Sequence, residues 1–335
     1  MGVTIKDVAK RVGVTAATVS MVINNKPRIS ESTRRRVLEA IDELEYYPHA
    51  GARNLVLKRT NTIGVASSFF TSHFVMETLS GVESEIRNTD YNMVLYGTRG
   101  LLKTEETVIH QIARERKVDG LISVTLDLTE KQILDFQKNK IPLVALERDY
   151  PGVHCVYVNN EKAGFDAARH LLDLGHRRLA LVNGAGPEFP ARQREQGFRR
   201  ALKEAGVAFD EALRFGVTDY SRKEGFEAAS RFLEMPQPPS AVFVAAGDLC
   251  AMGVMQACRE KGLKIPERLS VVGFDDQVFA ELVDPALTTV RQPMAQMGAQ
   301  ALKMLLEAVR GEVKPARLGF DAELVVRSST GPAPR

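Results

Sequence analysis

Residues 4–25, TIKDVAKRVGVTAATVSMVINN, concentrate side chains whose types and spacing suit contact with a nucleic acid. Thr15, Thr18, Ser20, Asn24 and, just beyond, Arg28 bring hydroxyl, amide and guanidinium groups of the kind that meet phosphate oxygens. Ala16, Ala17 and Met21 fall on the outer face of one helix and are the candidate base readers. They offer only apolar contact, which leaves Lys6 for polar readout. Positioning these groups takes two short helices and a tight turn. Thr4 and Asp7 have the pattern of a capping box at the start of the first helix. Gly13 supplies the permissive backbone of a short inter-helix turn, and Ala9 is small where the helices cross. Val8, Val12, Val14, Val19 and Val22 provide apolar contacts. Thr15 is the expected N-cap of the second helix and Asn24–Asn25 its terminator.

A third helix is expected from Ser30 to about residue 44, with Val37, Ile41 and Leu44 on one apolar stripe and Arg34, Arg35 and Arg36 at its start. Arginine near a helix N-terminus opposes the macrodipole, so an external anion is the expected partner of the triplet. Residues 1–60 hold eleven basic residues against six acidic ones, a net of +5 where the whole chain carries +3. Positive charge gathered on a small N-terminal segment is an electrostatic footprint for phosphate.

From Thr62 onward, short apolar runs alternate with amphipathic helical stretches, the pattern of parallel α/β sheets. Strands are expected at 63–67, 93–96, 120–124 and 143–146 in a first set, and at 179–182, 241–245 and 269–273 in a second. Residues 287–291 and a helix over 294–309 are expected to return to the first set. Ligands of such sheets sit at the carboxyl ends of the strands. The loops there hold Phe69, Phe70, Phe74, Glu147, Arg148, Arg192, Arg194, Asp248, Asp275 and Asp276. Aromatic faces among carboxylates and guanidinium groups suit a polyol, since a sugar presents both C–H faces and hydroxyls. A purine is the alternative, because the Phe69 to Phe74 loop can stack on a base.

Catalytic patterns are weak. Asn183-Gly-Ala-Gly186 follows a strand, but Phe189 stands where a dinucleotide fingerprint needs its third glycine. The chain has no H-E-x-x-H, no G-x-S-x-G and no phosphate-binding P-loop, and Asp275–Asp276 have neither a nucleophile nor a metal cluster beside them. The expectation is a protein that is not an enzyme and uses no cofactor or metal. With 335 residues, 44% hydrophobic and 26% charged, the chain suits two or three soluble domains. Its beginning lacks an apolar signal region and no run approaches a membrane span. Cys155, Cys250 and Cys258 form no C-x-x-C pair, and their odd number argues against a disulfide framework. A cytoplasmic location without membrane contact follows as the expectation.

The three segments TIKDVAKRVGVTAATVSMVINN, ISESTRRRVLEAIDELEYYPHAGARNL and TNTIGV together resemble the lactose/galactose repressor (LacI/GalR) family over nearly the full length, the purine-repressor branch especially in the first sixty residues. The resemblance implies a bacterial transcription regulator that binds operator DNA as a homodimer under control of a small-molecule effector. It implies an all-α helix-turn-helix head and an α/β core of two doubly wound parallel-sheet subdomains, like periplasmic sugar-binding proteins. The corresponding boundaries are 1–48 for the head, 49–60 for a hinge, and 61–335 for the core. Within that core, about 61–160 plus 290–320 form one subdomain and about 161–289 plus 321–330 the other. In the hinge, Leu55 matches the leucine that wedges between base steps in the minor groove, with Arg53 nearby. Arg194 and Asp275 match effector-holding residues, and Tyr220 a ring that stacks on ligand. Three positions depart from the family's commonest residues. Met21 stands where an arginine often reads a base, His49 where asparagine often follows the proline, and Gly247 where asparagine often precedes the aspartate. With no heptad tail, a dimer is expected over a tetramer. Two readings of control stay open: a metabolite, with a sugar expected, or a phosphocarrier protein partner.

Overall fold

The computed structural model describes residues 3–23, 26–46, 59–98, 102–186, 189–311 and 314–334. The expectations placed on Asn24, on Arg53 and Leu55, and on most of the 49–60 hinge lie outside the described residues. The chain divides into two compact units, Met1–Thr60 and Asn61–Arg335.

In the first unit, α1 (Ile5–Val12), α2 (Ala16–Ile23) and α3 (Glu31–Glu43) enclose one small core of Val8, Ala9, Val12, Val19, Val22, Val37, Ala40 and Tyr46. Local chemistry sets each helix end. The Thr4 amide and hydroxyl both donate to Asp7 Oδ2, at 2.9 and 2.7 Å, which holds the Asp7 carboxyl below its usual pKa. Gly13 ends α1 at φ +76°, a left-handed conformation that costs glycine little. Thr15 Oγ1 accepts from Thr18 N at 3.1 Å and starts α2, and Ser30 Oγ accepts from Thr33 N at 3.3 Å and starts α3.

The second unit contains two parallel sheets with helices on both faces. The first is ordered β11 (Arg317–Phe320), β5 (His154–Val158), β4 (Leu143–Leu146), β3 (Gly120–Val124), β1 (Thr62–Ser67) and β2 (Asn92–Gly97). One face is covered by α4 (His73–Ile86) and α11 (Met294–Arg310), the other by α5 (Leu102–Glu115) and α6 (Glu130–Asn139). The second sheet is ordered β7 (Arg214–Val217), β6 (Leu179–Gly184), β8 (Ala241–Val244) and β9 (Ser270–Val272). It lies between α7 (Asn160–Asp173) with α8 (Phe189–Glu204) and α9 (Arg222–Leu233) with α10 (Asp248–Glu260).

Residues 287–291 do not return to the first sheet as expected. Gly273 N donates to Thr288 O and Asp275 N to Val290 O, each at 2.8 Å, so this segment extends the second sheet beside β9. Its strand β10 (Thr289–Arg291) then pairs antiparallel with β12 (Glu323–Val325). The chain reaches the first sheet only with α11. The last turn of chain is fastened to the second sheet by buried His176. Its Nε2 lies 3.1 Å from Gly331 O and 3.0 Å from Ser270 Oγ, and its Nδ1 lies 2.8 Å from Ser240 Oγ. Burial lowers the pKa of this imidazole, which suits a neutral ring donating from Nε2 to the carbonyl.

Each major helix pair of the second unit crosses at backbone contact. A Cβ on Gly164 of α7 would overlap the carbonyl of Arg194, and one on Gly197 of α8 would overlap the carbonyl of Glu161. Gly225 and Gly253 meet α10 and α9 in the same reciprocal way, as do Gly81 and Gly298 in α4 and α11. Close-packed interiors yield little to added volume. Gly298→Ala is therefore expected to destabilise the core by about 1–3 kcal/mol. The measurement is urea unfolding, with a lower midpoint at unchanged slope.

Candidate functional site

The head presents its candidate contacts on two helices. Lys6 is exposed on α1, and Ala17 and Met21 are exposed one turn apart on α2, where Met21 keeps 36% of its surface. Ala16, Thr18 and Ser20 are half-buried, Thr15 is exposed, and the Thr15 and Thr18 hydroxyls bond each other at 2.9 Å. Lys26 and Arg28 are exposed after α2. The arginine triplet does not wait for an external anion. Arg34 donates to Lys26 O at 2.8 Å and Val22 O at 3.5 Å, and Arg36 donates to Val12 O at 2.5 Å. Two of the three guanidinium groups thus serve carbonyls at or just past the ends of α1 and α2, where positive charge is favourable. Arg35 stays exposed, 3.9 Å from Glu39.

In the second unit the strand ends form one connected set of polar groups. Glu147, after β4, is buried, with φ +60°. Its Oε1 accepts from Val158 N and its Oε2 from Asn160 Nδ2, both at 2.7 Å. Asn160 Oδ1 accepts from Arg194 Nε at 2.7 Å, and Arg194 Nη1 donates to Ala245 O at 2.8 Å. The Arg194 guanidinium lies 3.6 Å from the centre of the Phe274 ring. Next to that ring, Asp275 Oδ1 accepts from Gln292 Nε2 at 2.7 Å. The relay Glu147–Asn160–Arg194 therefore links the carboxyl end of the first sheet to that of the second.

Burial raises the pKa of both acids at the ends of this set, and Arg194 is among the groups that draw each back. His73, at the start of α4, also acts on Asp275. Of the remaining candidates, Asp248 is fully buried and already committed. It accepts from Thr289 Oγ1 at 2.5 Å and Gln277 N at 2.8 Å, so it fastens β10 and the 275–277 loop to α10. Arg148 is buried against Asp127 at 2.6 Å and braces its own loop. Asp276 is paired with Arg291 at 2.6 Å and Arg327 at 2.7 Å. Phe74 is half-buried on the first core, Tyr220 packs on the second at φ +53°, Phe69 is 56% exposed and Arg192 is exposed.

Sequence reasoning did not find Asn160, Phe274 or Gln292. Buried side-chain oxygens of Ser67, Ser123, Asn183 and Gln292 make no hydrogen bond, and all four lie at or just past the carboxyl ends of strands. Buried polar atoms without partners are uncommon, and acceptors gathered at strand ends suit a ligand rich in hydroxyl or N–H donors. Gly247, at φ +111°, also keeps this region open: a Cβ there would stand 3.0 Å from Asp275 Oδ2. Arginine, carboxylates and amides in this arrangement can bind and orient a polar molecule. Among the described residues no group of three or more His, Cys, Asp or Glu could hold a metal ion, and no helix is long and apolar enough to cross a membrane.

Asp248 provides a pH test. Burial first, and the charge of Asp275 second, raise its pKa from 3.8 to about 8. A raised acid binds more protons folded than unfolded, so it withdraws stability as pH rises through that interval. Asp248→Asn is expected to gain in melting temperature relative to the parent between about pH 4 and pH 8. A difference independent of pH would contradict the assignment.

Two family models match: the lacI family of bacterial regulatory proteins over residues 4–49, and a periplasmic binding protein-like domain over 168–330. The transcriptional regulator DegA of Bacillus subtilis is 36% identical, with 99% of each chain covered. The transcriptional repressor PurR of Photobacterium profundum is 33% identical, covering 97% of this chain and 98% of its own. A lac repressor dimer solved with operator and the anti-inducer ONPF superposes with a TM-score of 0.86 at 28% identity, covering 99% of this chain and all of the other. The helical head and the paired parallel sheets are those of such regulators, and the relatives regulate transcription rather than catalyse reactions. With identity of this order along its full length, the chain belongs to the LacI family of DNA-binding transcriptional regulators.

Proposed function

We propose that the protein is a repressor that binds an inverted-repeat operator as a homodimer and is controlled by a small polar metabolite held between its two sheets. The observation that carries the metabolite reading is the Glu147–Asn160–Arg194 relay joined through Phe274 to Asp275, with unpartnered buried acceptors at the same ends of the strands. A sugar or sugar derivative fits it best. Its hydroxyls donate to Asp275, Gln292 and Asn183, and its C–H faces suit the Phe69 and Phe74 rings. Arg194 is the anchor, and Glu147, Tyr220 and Asp248 shape the loops around it. Head, hinge and core are assigned as 1–48, 49–60 and 61–335. The effector shifts operator affinity by changing whether the two hinge segments, each with Leu55 as wedge and Arg53 beside it, become helical against each other. A segment this short is not stable alone, so modest changes in its packing decide its state.

A single experiment tests the effector reading: fluorescence anisotropy of labelled operator DNA with full-length protein, titrated with a panel of sugars and nucleobases. One sugar changes the affinity, and Arg194→Ala removes that response while the effector-free affinity stays within about twofold, because the variant touches the core and not the head. A response to nucleobases instead would favour a purine effector. No response to any small molecule would favour a phosphocarrier protein partner.

DNA binding itself is expected to follow the head's charge. A dimer that neutralises about 6–10 phosphates loses roughly 10³–10⁵ in affinity between 50 and 200 mM salt. Anisotropy across that range measures the slope, and a flat response would contradict docking through Lys6, Arg28 and the capped helix starts at Thr15 and Ser30.

A further inference from the structure

We infer that α2 enters the major groove and selects its DNA site by apolar contact with the 5-methyl groups of thymine, with Met21 and Ala17 as the reading residues; this rests on the operator binding proposed above. From Ala16 to Ile23 the helix has no charged and no amide side chain. Its inward positions, Val19 and Val22, are consumed by the core. Its two threonine-type caps are also used, since Thr15 and Thr18 bond each other and Thr18 N bonds Thr15 Oγ1. Ser20 is half-buried and engaged within the protein. The surface left to face a partner is Ala17 and Met21, four residues apart on one side of the helix and both exposed.

The occupant of this apolar strip follows from charge and from groove chemistry. The surrounding segment carries a net of +5, so the partner is polyanionic. Two of the three α3 arginines, Arg34 and Arg36, donate to backbone carbonyls of the head, Arg35 stays exposed beside Glu39, and α2 itself carries no group that reads guanine. In the major groove, guanine, adenine and cytosine present only hydrogen-bonding groups at their edges, while thymine alone adds a methyl. Methionine is unbranched and its thioether adapts to the shape of what it touches, so it can follow a methyl across neighbouring steps. The strip therefore distinguishes thymine by burying a group that the other bases lack.

The test uses full-length protein and a random-sequence duplex library. The enriched site is then remade with deoxyuridine in place of thymidine, one position at a time, which deletes the methyl and leaves every hydrogen-bonding group. Each contacted thymine should lose about fourfold in affinity, the value of one buried methyl. With Met21→Ala, the penalty should vanish at one position in each half-site and persist at the others. Met21→Arg should move the preference at that same position to guanine, read at O6 and N7. An enriched site that binds equally well with deoxyuridine throughout, or keeps its full penalty in Met21→Ala, overturns methyl reading and leaves DNA recognition standing. A library in which no sequence is enriched overturns both.

Discussion

The close crossing of α7 and α8 is the constraint on which the core site depends. Gly164 faces the backbone of Arg194, and Gly197 faces the backbone of Glu161. Without side chains at the crossing, the two helices approach to backbone distance, and Arg194 is held one turn before its own notch glycine. From there its guanidinium reaches Asn160 on one side, Ala245 O on another and the face of Phe274 on a third. A side chain at either glycine would push α8 outward and move the anchor with it. Outside the crossing, Arg200 pairs with Glu161 and Lys162 with Asp166 at exposed positions. Such pairs contribute little. Packing at the notch, more than surface charge, sets where the arginine lies.

That placement has an electrostatic consequence. Glu147 and Asp275 are both removed from water within the influence of one cation, and burial raises the pKa of both. Arg194 opposes that rise at each. The arginine is thus shared between carboxylates contributed by the two sheets. Glu147, Asp275 and Asp276 also sit at φ +60°, +108° and +52°, conformations that carry a cost for non-glycine residues and persist only where the surroundings enforce them. Here the enforcement is visible: two hydrogen bonds on Glu147, Gln292 on Asp275, and two arginines on Asp276. The carboxylates of the site are thus already partnered, whereas Asn183 Oδ1 and Gln292 Oε1 are buried without a hydrogen bond.

Much of the fold was legible because buried parallel strands are written as apolar runs, and 120–124 and 143–146 were read to the residue. The strands that escaped are those whose sequence does not look buried. His154–Val158 opens on a histidine and a cysteine. Arg214–Val217 and Arg317–Phe320 lie at sheet edges, where one side faces solvent and an arginine is tolerated. The path of 287–291 was unreadable because the bonds that fix it, from Gly273 and Asp275, are made by backbone and carry no side-chain signature. At the site, charged residues were visible as candidates, yet their partners were not. Arg34 and Arg36 read as anion binders in a helix-start triplet, and only the fold brings the ends of α1 and α2 to them. Asn160 and Gln292 are ordinary amides until Arg194 and Asp275 fall beside them.

If α2 reads thymine methyls, the head separates two functions that many DNA-binding surfaces combine in the same side chains. Where arginines both neutralise phosphate and read guanine, affinity and selectivity rise and fall together. In this chain α2 contributes no charge, and two of the three arginines of α3 donate to carbonyls at or just past the ends of α1 and α2. On that reading, attraction to DNA rests on exposed lysines with Arg28 and Arg35, which feel any duplex and weaken with salt. On the same reading, selection rests on the fit of Ala17 and Met21, apolar side chains that carry no long-range field and act only at contact. A surface of that kind discriminates only when each head is held at a fixed depth in the groove. Its selectivity is consequently more sensitive than its attraction to whatever fixes the depth and spacing of the heads on the duplex.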